Sequence, residues 1–439
     1  MKSQTKSHRT VVTEKLNLVE LIALGVGGMV GGGIFSVLGL SALVSGHAAP
    51  LAFAFGGVIA FLTGYSYSKL GLHFRSDGGS FTYLERAFKQ RNIAGLGGWL
   101  LLVGYIGTMA LYAYTFGTYG AAMMSAPAGG WLSHLLASLV LLLFLGINLV
   151  GVKASGQTEL ILVVVKVLIL AVFTVAGLFS IQADYVLPVF SQGAAGVLMG
   201  AALIFVAYEG FELIPNAVNE MENPTKNLGR AIMISIAITT VIYILVSLVA
   251  VGNLTPAEID KYKESALAVA AKPALGQMGF MLIGLGALLS TASAINATLF
   301  GTARLGMVMA QEEALPRVFS SMERTKNIPW VSLAAISGAT LIFVNIADLT
   351  VISSFASSTF LLIFTAINLS AIRLKDRIGI GVAAPLLGFL LGLGSWLVLI
   401  GYLWQHSQDS LLQIGIFYVV VIVAELLFSK RALVRLDLR

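Results

Sequence analysis

Three ionisable side chains lie deep inside apolar sequence: Lys166 in LILVVVKVLILAVF, and Glu209 and Glu212 in FVAYEGFE at 205–212. A charge placed in hydrocarbon costs at least about 2.5 kcal/mol, so each of these residues needs a partner or a task. Lys166 follows Gly156 by ten residues. That is about 15 Å along a helix, the middle of an apolar layer about 30 Å thick. Its side chain reaches only about 6 Å, too little to bring the ammonium back to the interface. Burial there calls for a partner or for loss of the proton. Two roles remain open for it, a proton-coupling group and a structural ion pair or hydrogen bond.

Glu212 is expected in the first turn after a helix break, where a carboxylate accepts free N–H groups and suits the helix dipole. Capping and proton handling are its two readings. Glu209 lies inside the break. It either faces a substrate, selecting a cationic side chain or an amine, or it pairs with a buried Lys or Arg.

A second unusual run, GGMVGGGIF at 27–35, has five glycines in nine residues. Gly27/Gly31 and Gly28/Gly32 each make a GxxxG pair, which suits close helix packing. A packing face needs one stripe, however, and three consecutive glycines point in all directions at about 1 kcal/mol of lost helix propensity each. Unwinding is therefore the favoured expectation. Non-helical backbone at this depth survives only where it lines a cavity or is buried in protein. The N–H groups around Gly31, Gly32, Gly33 and Ile34 then offer a positive dipole end to an anion. Carbonyls at the broken ends suit an ammonium, and an α-amino acid carries both groups.

The elements that must position these residues are membrane spans. The chain has 439 residues, 57% hydrophobic and 11% charged, against about 25% charged in soluble domains. One span takes about 20 apolar residues, and the apolar runs fall at 17–45, 50–72, 93–123, 131–150, 156–180, 194–219, 228–251, 275–308, 329–346, 350–371, 379–403 and 410–429. The two unusual runs fall in spans one and six. Interruptions five spans apart are the pattern of inverted-repeat transporters, with the substrate near the midplane.

The net charge of +6 is distributed by topology and does not point to nucleic acid. Only Lys261, Lys263 and Lys272 fall on the far side and Lys166 within a span; every other Lys and Arg lies on the N-terminal side. Basic connections stay in the cytoplasm, so both termini are expected there, in a multi-pass protein of the cell membrane. The first span is too long for a signal-peptide core. There is no cysteine, which excludes disulfides and thiolate sites. The five histidines, His8, His47, His73, His134 and His406, show no ligand spacing, so no metal is expected. No GxxxxGK[ST] run supports direct ATP drive, and no cofactor is called for. Glu425 is expected to be solvated beside Lys430, and the stretch 254–273 to form an external helix and hairpin.

The chain resembles the amino acid, polyamine and organocation transporter superfamily, most closely its proton-coupled archaeal and bacterial amino-acid permeases. The resemblance rests on GVGGMVGGGIFS at 25–36, SDGGSFTYLERAF at 76–88, AYEGFE followed by ENPTKN at 222–227, and MAQEEALPRVF at 309–319. It implies an all-α, LeuT-like fold of about twelve transmembrane helices. A tail at 1–15 precedes five-helix repeats at 16–180 and 194–371, two peripheral helices at 379–429, and a tail at 430–439. It also implies that amides near Gly31, Gly32 and Gly33 hold a substrate carboxylate and that carbonyls of Met29, Val206 and Glu209 hold its amino group. Phe205 and Tyr208 would line or gate the site. In sodium-coupled relatives of this fold, span five borders a cation site. The matching groups here are the Gly27 carbonyl and the hydroxyls of Ser290 and Thr291, and the resemblance implies that the Lys166 ammonium substitutes for sodium.

These features point to a secondary transporter that moves an amino acid with a proton, or to an exchanger or importer of cationic amines. A channel would show charged or carbonyl-lined pore rings, and an intramembrane enzyme would show a nucleophile with its base. The partners implied are a small amino acid or amine, protons and the bilayer; oligomeric state is left open.

Overall fold

The computed structural model describes residues 15–76, 78–88, 90–151, 156–323 and 328–428. The expected 1–15 and 430–439 tails, and Lys89, Lys153, Arg324 and Lys326, lie outside these residues, Lys15 excepted.

Apolar sequence with few charges has one way to satisfy its backbone in hydrocarbon, the helix. The chain accordingly folds as α1 (Leu18–Met29), α2 (Gly33–Ser45), α3 (Ala49–Phe74), α4 (Gly79–Ala87), α5 (Arg91–Met123), α6 (Trp131–Val150), α7 (Gly156–Leu178), α8 (Gly193–Leu203) and α9 (Pro224–Asn253). There follow α10 (Pro256–Tyr262), α11 (Ala266–Ala270), α12 (Lys272–Gln311), α13 (Trp330–Ile346), α14 (Leu349–Arg373), α15 (Lys375–Ile378), α16 (Ala383–His406) and α17 (Gln408–Phe428). Among the described residues nine helical stretches are long and apolar enough to cross a membrane, and α8 with the 3-10 segments after it makes a bent tenth. Leu18–Met29 and Trp330–Ile346 are shorter apolar helices.

The core gathers around α14, of whose apolar window 83% is buried, against 28% for α16 and 22% for α17. Those last two helices form an outer layer, with Leu412, Val419 and Leu427 exposed as a lipid face would be. The most extensive packing joins distant parts of the chain, α3 against α9 and α5 against α12. Beside the helices there is one β-type bridge among the described residues. Leu16 pairs with the stretch before α9, its N–H donating to Glu220 O at 2.8 Å while Glu222 N–H donates to Leu16 O at 2.9 Å.

Two local expectations need comment. Glu425 is buried at 1% exposure, not solvated. Ile414, Val421 and Glu425 form one stripe of α17 at helical spacing, and that stripe turns inward, bringing the carboxylate onto Gly95 of α5. The 254–273 stretch forms α10 and α11, begun by a capping box in which Thr255 and Glu258 satisfy each other. The Thr255 N–H and hydroxyl, at 2.9 and 2.8 Å, hold the Glu258 carboxyl below its usual range. This hairpin lies across α2, where Gly39 leaves room for the Lys263 carbonyl.

Candidate functional site

The helix that starts at Leu18 stops at Met29. Val30 closes it with an N–H to Val26 O at 2.8 Å, residues 30–32 are non-helical, and α2 restarts at Gly33. The amides that open α2 have no carbonyl four residues back, which leaves them free of intrahelical partners. The other break follows α8. Phe205–Tyr208 forms a 3-10 turn, Glu209 is extended, Gly210 takes φ 125°, and Phe211–Ala217 is again 3-10. A φ of 125° is open to glycine and strained for any other residue.

The run unwinds, as favoured, and the same glycines also allow close packing. A Cβ on Gly28 would stand 3.0 Å from Gly210 Cα, and one on Gly33 would stand 2.6 Å from Ala207 Cα. The two breaks thus touch backbone to backbone. Gly31 and Gly32 face the Tyr112 ring at 3.0 and 2.5 Å by the same measure, and Gly27 faces Glu159 Oε1 at 2.7 Å. The run therefore meets neighbours on several sides, Gly210, Ala207, Tyr112 and Glu159, and no single stripe describes it.

Side chains from other helices bind the broken ends. Tyr243 of α9 has its hydroxyl 2.6 Å from Met29 O and 2.9 Å from Ala207 O, one group spanning both breaks. Ser357 of α14 accepts the Val206 N–H at 3.0 Å and donates to Leu203 O at 2.7 Å. Of the carbonyls expected to hold an ammonium, Met29 O therefore already has a donor and Val206 O accepts the Glu209 N–H at 3.1 Å. Phe205 packs on Phe364, with ring centroids 5.6 Å apart. Tyr208 is buried with its hydroxyl on Phe53 O at 2.6 Å. Tyr243→Phe is expected to leave Met29 O and Ala207 O short of a donor at a cost of about 1–3 kcal/mol. A lowered midpoint of thermal unfolding in detergent checks this; an unchanged one would mean that both carbonyls find other donors.

The two carboxylates meet tyrosines of one helix face. Tyr105, Tyr112 and Tyr119 recur every seven residues on α5. Their hydroxyls donate to Glu212 Oε1 at 3.3 Å, Glu209 Oε2 at 3.0 Å and Phe35 O at 2.8 Å. Glu212 also accepts the Gly210 N–H at 2.8 Å, so it does cap the restarting segment, which is a 3-10 turn and not the expected α-helix. Glu209 Oε1 is buried without a hydrogen bond. No Lys or Arg pairs with Glu209 among the described residues; it accepts the Tyr112 hydroxyl and lies beside the Glu212 carboxyl.

Lys166 of α7 is buried, and its Nζ donates to Gly27 O at 2.8 Å. The structure thus brings Lys166 to the last turn of α1. Ser290 and Thr291, on α12, are not hydrogen-bonded to it. The Thr291 hydroxyl turns back to Ala287 O at 2.7 Å, and the buried Ser290 hydroxyl has no partner. Between the breaks lies a cavity of about 10 Å³ bounded by Gly27, Gly28, Glu159, Glu209 and Gly210. It has room for one water, so a larger guest needs the breaks to separate.

An all-helical bundle of apolar spans, with two segments interrupted at facing points and ionisable groups gathered round the contact, is the build of a multi-pass membrane transport protein. The amino acid permease family matches residues 16–426, and the chain belongs to that family. It is 34% identical over 418 residues to an uncharacterised protein of Methanocaldococcus jannaschii, covering 95% of this chain and 96% of that one. It is 33% identical over 424 residues to the inner membrane transport protein YbaT of Escherichia coli, covering 93% and 95%. With the serine/threonine exchanger SteT of Bacillus subtilis it shares 27% over 345 residues, covering 76% and 77%. The protein is accordingly a transporter and not an enzyme.

Tyr243, Ser357, Tyr112, Tyr105 and Glu159 escaped the sequence reading. Tyrosines belong at membrane interfaces, so Tyr243 in mid-span and three tyrosines at heptad spacing on one span were the available signal. Ser357 had none beyond a serine-rich stretch.

Proposed function

We propose that this permease carries an amino acid together with a proton by alternating access. The observation that supports the reading best is the 2.8 Å hydrogen bond from Lys166 Nζ to Gly27 O. A charged donor makes this bond about twice as strong as a neutral one. Protonation therefore favours the arrangement in which α7 holds α1, and loss of the proton favours its release. The amides of Gly31, Gly32, Gly33 and Ile34 receive the substrate carboxylate. The carbonyls of Met29, Val206 and Glu209 take its amino group once Tyr243 and the Glu209 N–H give way. Ser290 and Thr291 complete the cation site as the helices rearrange, and Glu212 joins its capping to proton handling. In this reading the fold is LeuT-like, twelve spans with repeats at 16–180 and 194–371, seated in the cell membrane with both termini in the cytoplasm.

Uptake of a labelled amino-acid panel into proteoliposomes tests the proposal. An imposed inward proton gradient is expected to drive accumulation and an imposed sodium gradient alone is not; the reverse result would overturn it.

A second reading, a carrier of cationic amino acids or amines, is favoured by the unpartnered Glu209 Oε1. A buried carboxylate oxygen without a donor is costly, and a substrate ammonium or guanidinium supplies one. Glu209→Gln is expected to lower transport of cationic relative to neutral substrates by about tenfold, the worth of roughly one charge-assisted hydrogen bond. An unchanged order across the panel, with only the pH profile altered, would move Glu209 to proton handling.

A further inference from the structure

We infer that Glu159 is the group through which Lys166 exchanges its proton with water. The inference rests on the proposed role of Lys166. Lys166 is 1% exposed, so a proton reaches or leaves it only through a neighbour. Glu159 lies seven residues before it on α7, two turns along the same face and about 10.5 Å away at the backbone. Helical side chains lean toward the helix N-terminus, which points the lysine at the glutamate, and the Glu159 charge acts on the ammonium through space.

The carboxylate is held in place. The Ser293 hydroxyl of α12 stands 3.2 Å from both of its oxygens. On the other side it rests against Gly27, the residue whose carbonyl accepts Lys166 Nζ. Glu159 is half-buried, an intermediate between the sealed lysine and solvent. It borders the water-sized cavity between the breaks, where Glu209 is the other titratable group. That cavity shares Leu213 and Thr298 with a second one of about 30 Å³, which extends to Gly78 and Ser80 at α4 and to Asn216. Around them α5 presents Tyr105 and Tyr112, α9 presents Tyr243, and Glu212 caps Gly210. None of these is on the α7 face that joins Lys166 to Glu159.

In the step inferred, the proton leaves Nζ and the electron pair stays on nitrogen. The Glu159 carboxylate takes the proton through one water and releases it to water along the cavities that lead to α4. Glu159→Gln keeps the shape and, through its amide oxygen, an acceptor for the Ser293 hydroxyl, but cannot carry the proton.

The experiment measures, in proteoliposomes, proton entry with a trapped pH dye, substrate affinity, and substrate exchange at equal pH on both sides. In Glu159→Gln, substrate-linked proton entry is expected to slow at least tenfold. Exchange is expected to persist where proton entry is lost, and Glu159→Asp to restore part of the proton rate. Ser293→Ala, which unclamps the carboxylate, is expected to show a weaker version of the same selective loss, and it carries the test if Glu159→Gln does not fold. Unchanged proton entry in Glu159→Gln, beside a Lys166→Ala protein that has lost it, overturns the role of Glu159 alone. Equal loss of exchange and proton entry in Glu159→Gln overturns it in favour of a structural role. Proton-driven uptake that survives Lys166→Ala overturns the reading of Lys166 itself and this inference with it.

Discussion

Lys166→Ala is expected to abolish uphill accumulation driven by a pH gradient while substrate still binds. The ammonium touches Gly27 O and none of the amides of Gly31 to Ile34, so truncating it removes the proton without reshaping the glycine break. Linkage gives the second half of the expectation. If the Lys166 proton strengthens substrate binding by some factor, substrate must hold that proton by the same factor, so affinity in the alanine protein loses the part of its pH dependence that Lys166 carries. The substitution leaves Gly27 O without its donor, at about 1–3 kcal/mol. Lys166→Met, which keeps the length of the chain, is the companion variant. Concentrative uptake in either one, measured as an internal-to-external substrate ratio above unity under an imposed pH gradient, would assign the coupling proton to Glu212 or Glu209.

The other large effect is expected at Gly32. A Cβ there would stand 2.5 Å from Tyr112 Cδ1 and 3.1 Å from both the Tyr112 Cα and Thr291 Cγ2. Even alanine must therefore push back the ring whose hydroxyl holds Glu209, and it crowds the amides that open α2. Overpacking of this kind costs about 1–3 kcal/mol, which is about 5–150-fold if it falls on binding. Gly32→Ala is thus expected to weaken substrate binding by that range. Gly146→Ala, on α6 where nothing lies within 4 Å, is expected to leave binding unchanged. Equal behaviour of the two proteins in a binding titration would show that the break tolerates side chains.

Much of this architecture was legible before any coordinates. Apolar runs of span length mark the helices, while the glycine cluster at 27–35 and the carboxylates at 205–212 each break a rule that lipid imposes, and each marks an interrupted segment. Depth said that Lys166 needs a partner, and only the family resemblance named Gly27. The partners of the broken ends were less accessible. Tyr243, Ser357 and Glu159 come from α9, α14 and α7, and which face of a span meets a break is decided by helix packing, on which hydropathy is silent. Glu425 failed for a related reason. Nearness to a basic tail suggested solvent, but the stripe it shares with Ile414 and Val421 turned it onto α5.

The pairing of Leu16 with the stretch before α9 carries a lesson for genetics. Both of its hydrogen bonds run between main-chain groups, so the link is indifferent to which side chains stand at Leu16, Glu220 and Glu222. An alanine scan would pass over it in silence, and related sequences are free to drift there without loosening it. Proline alone among the natural residues deletes the donor. A substitution map of this protein drawn without proline would therefore be blind at Leu16, where the residue ahead of α1 is fastened to the chain that follows the second break.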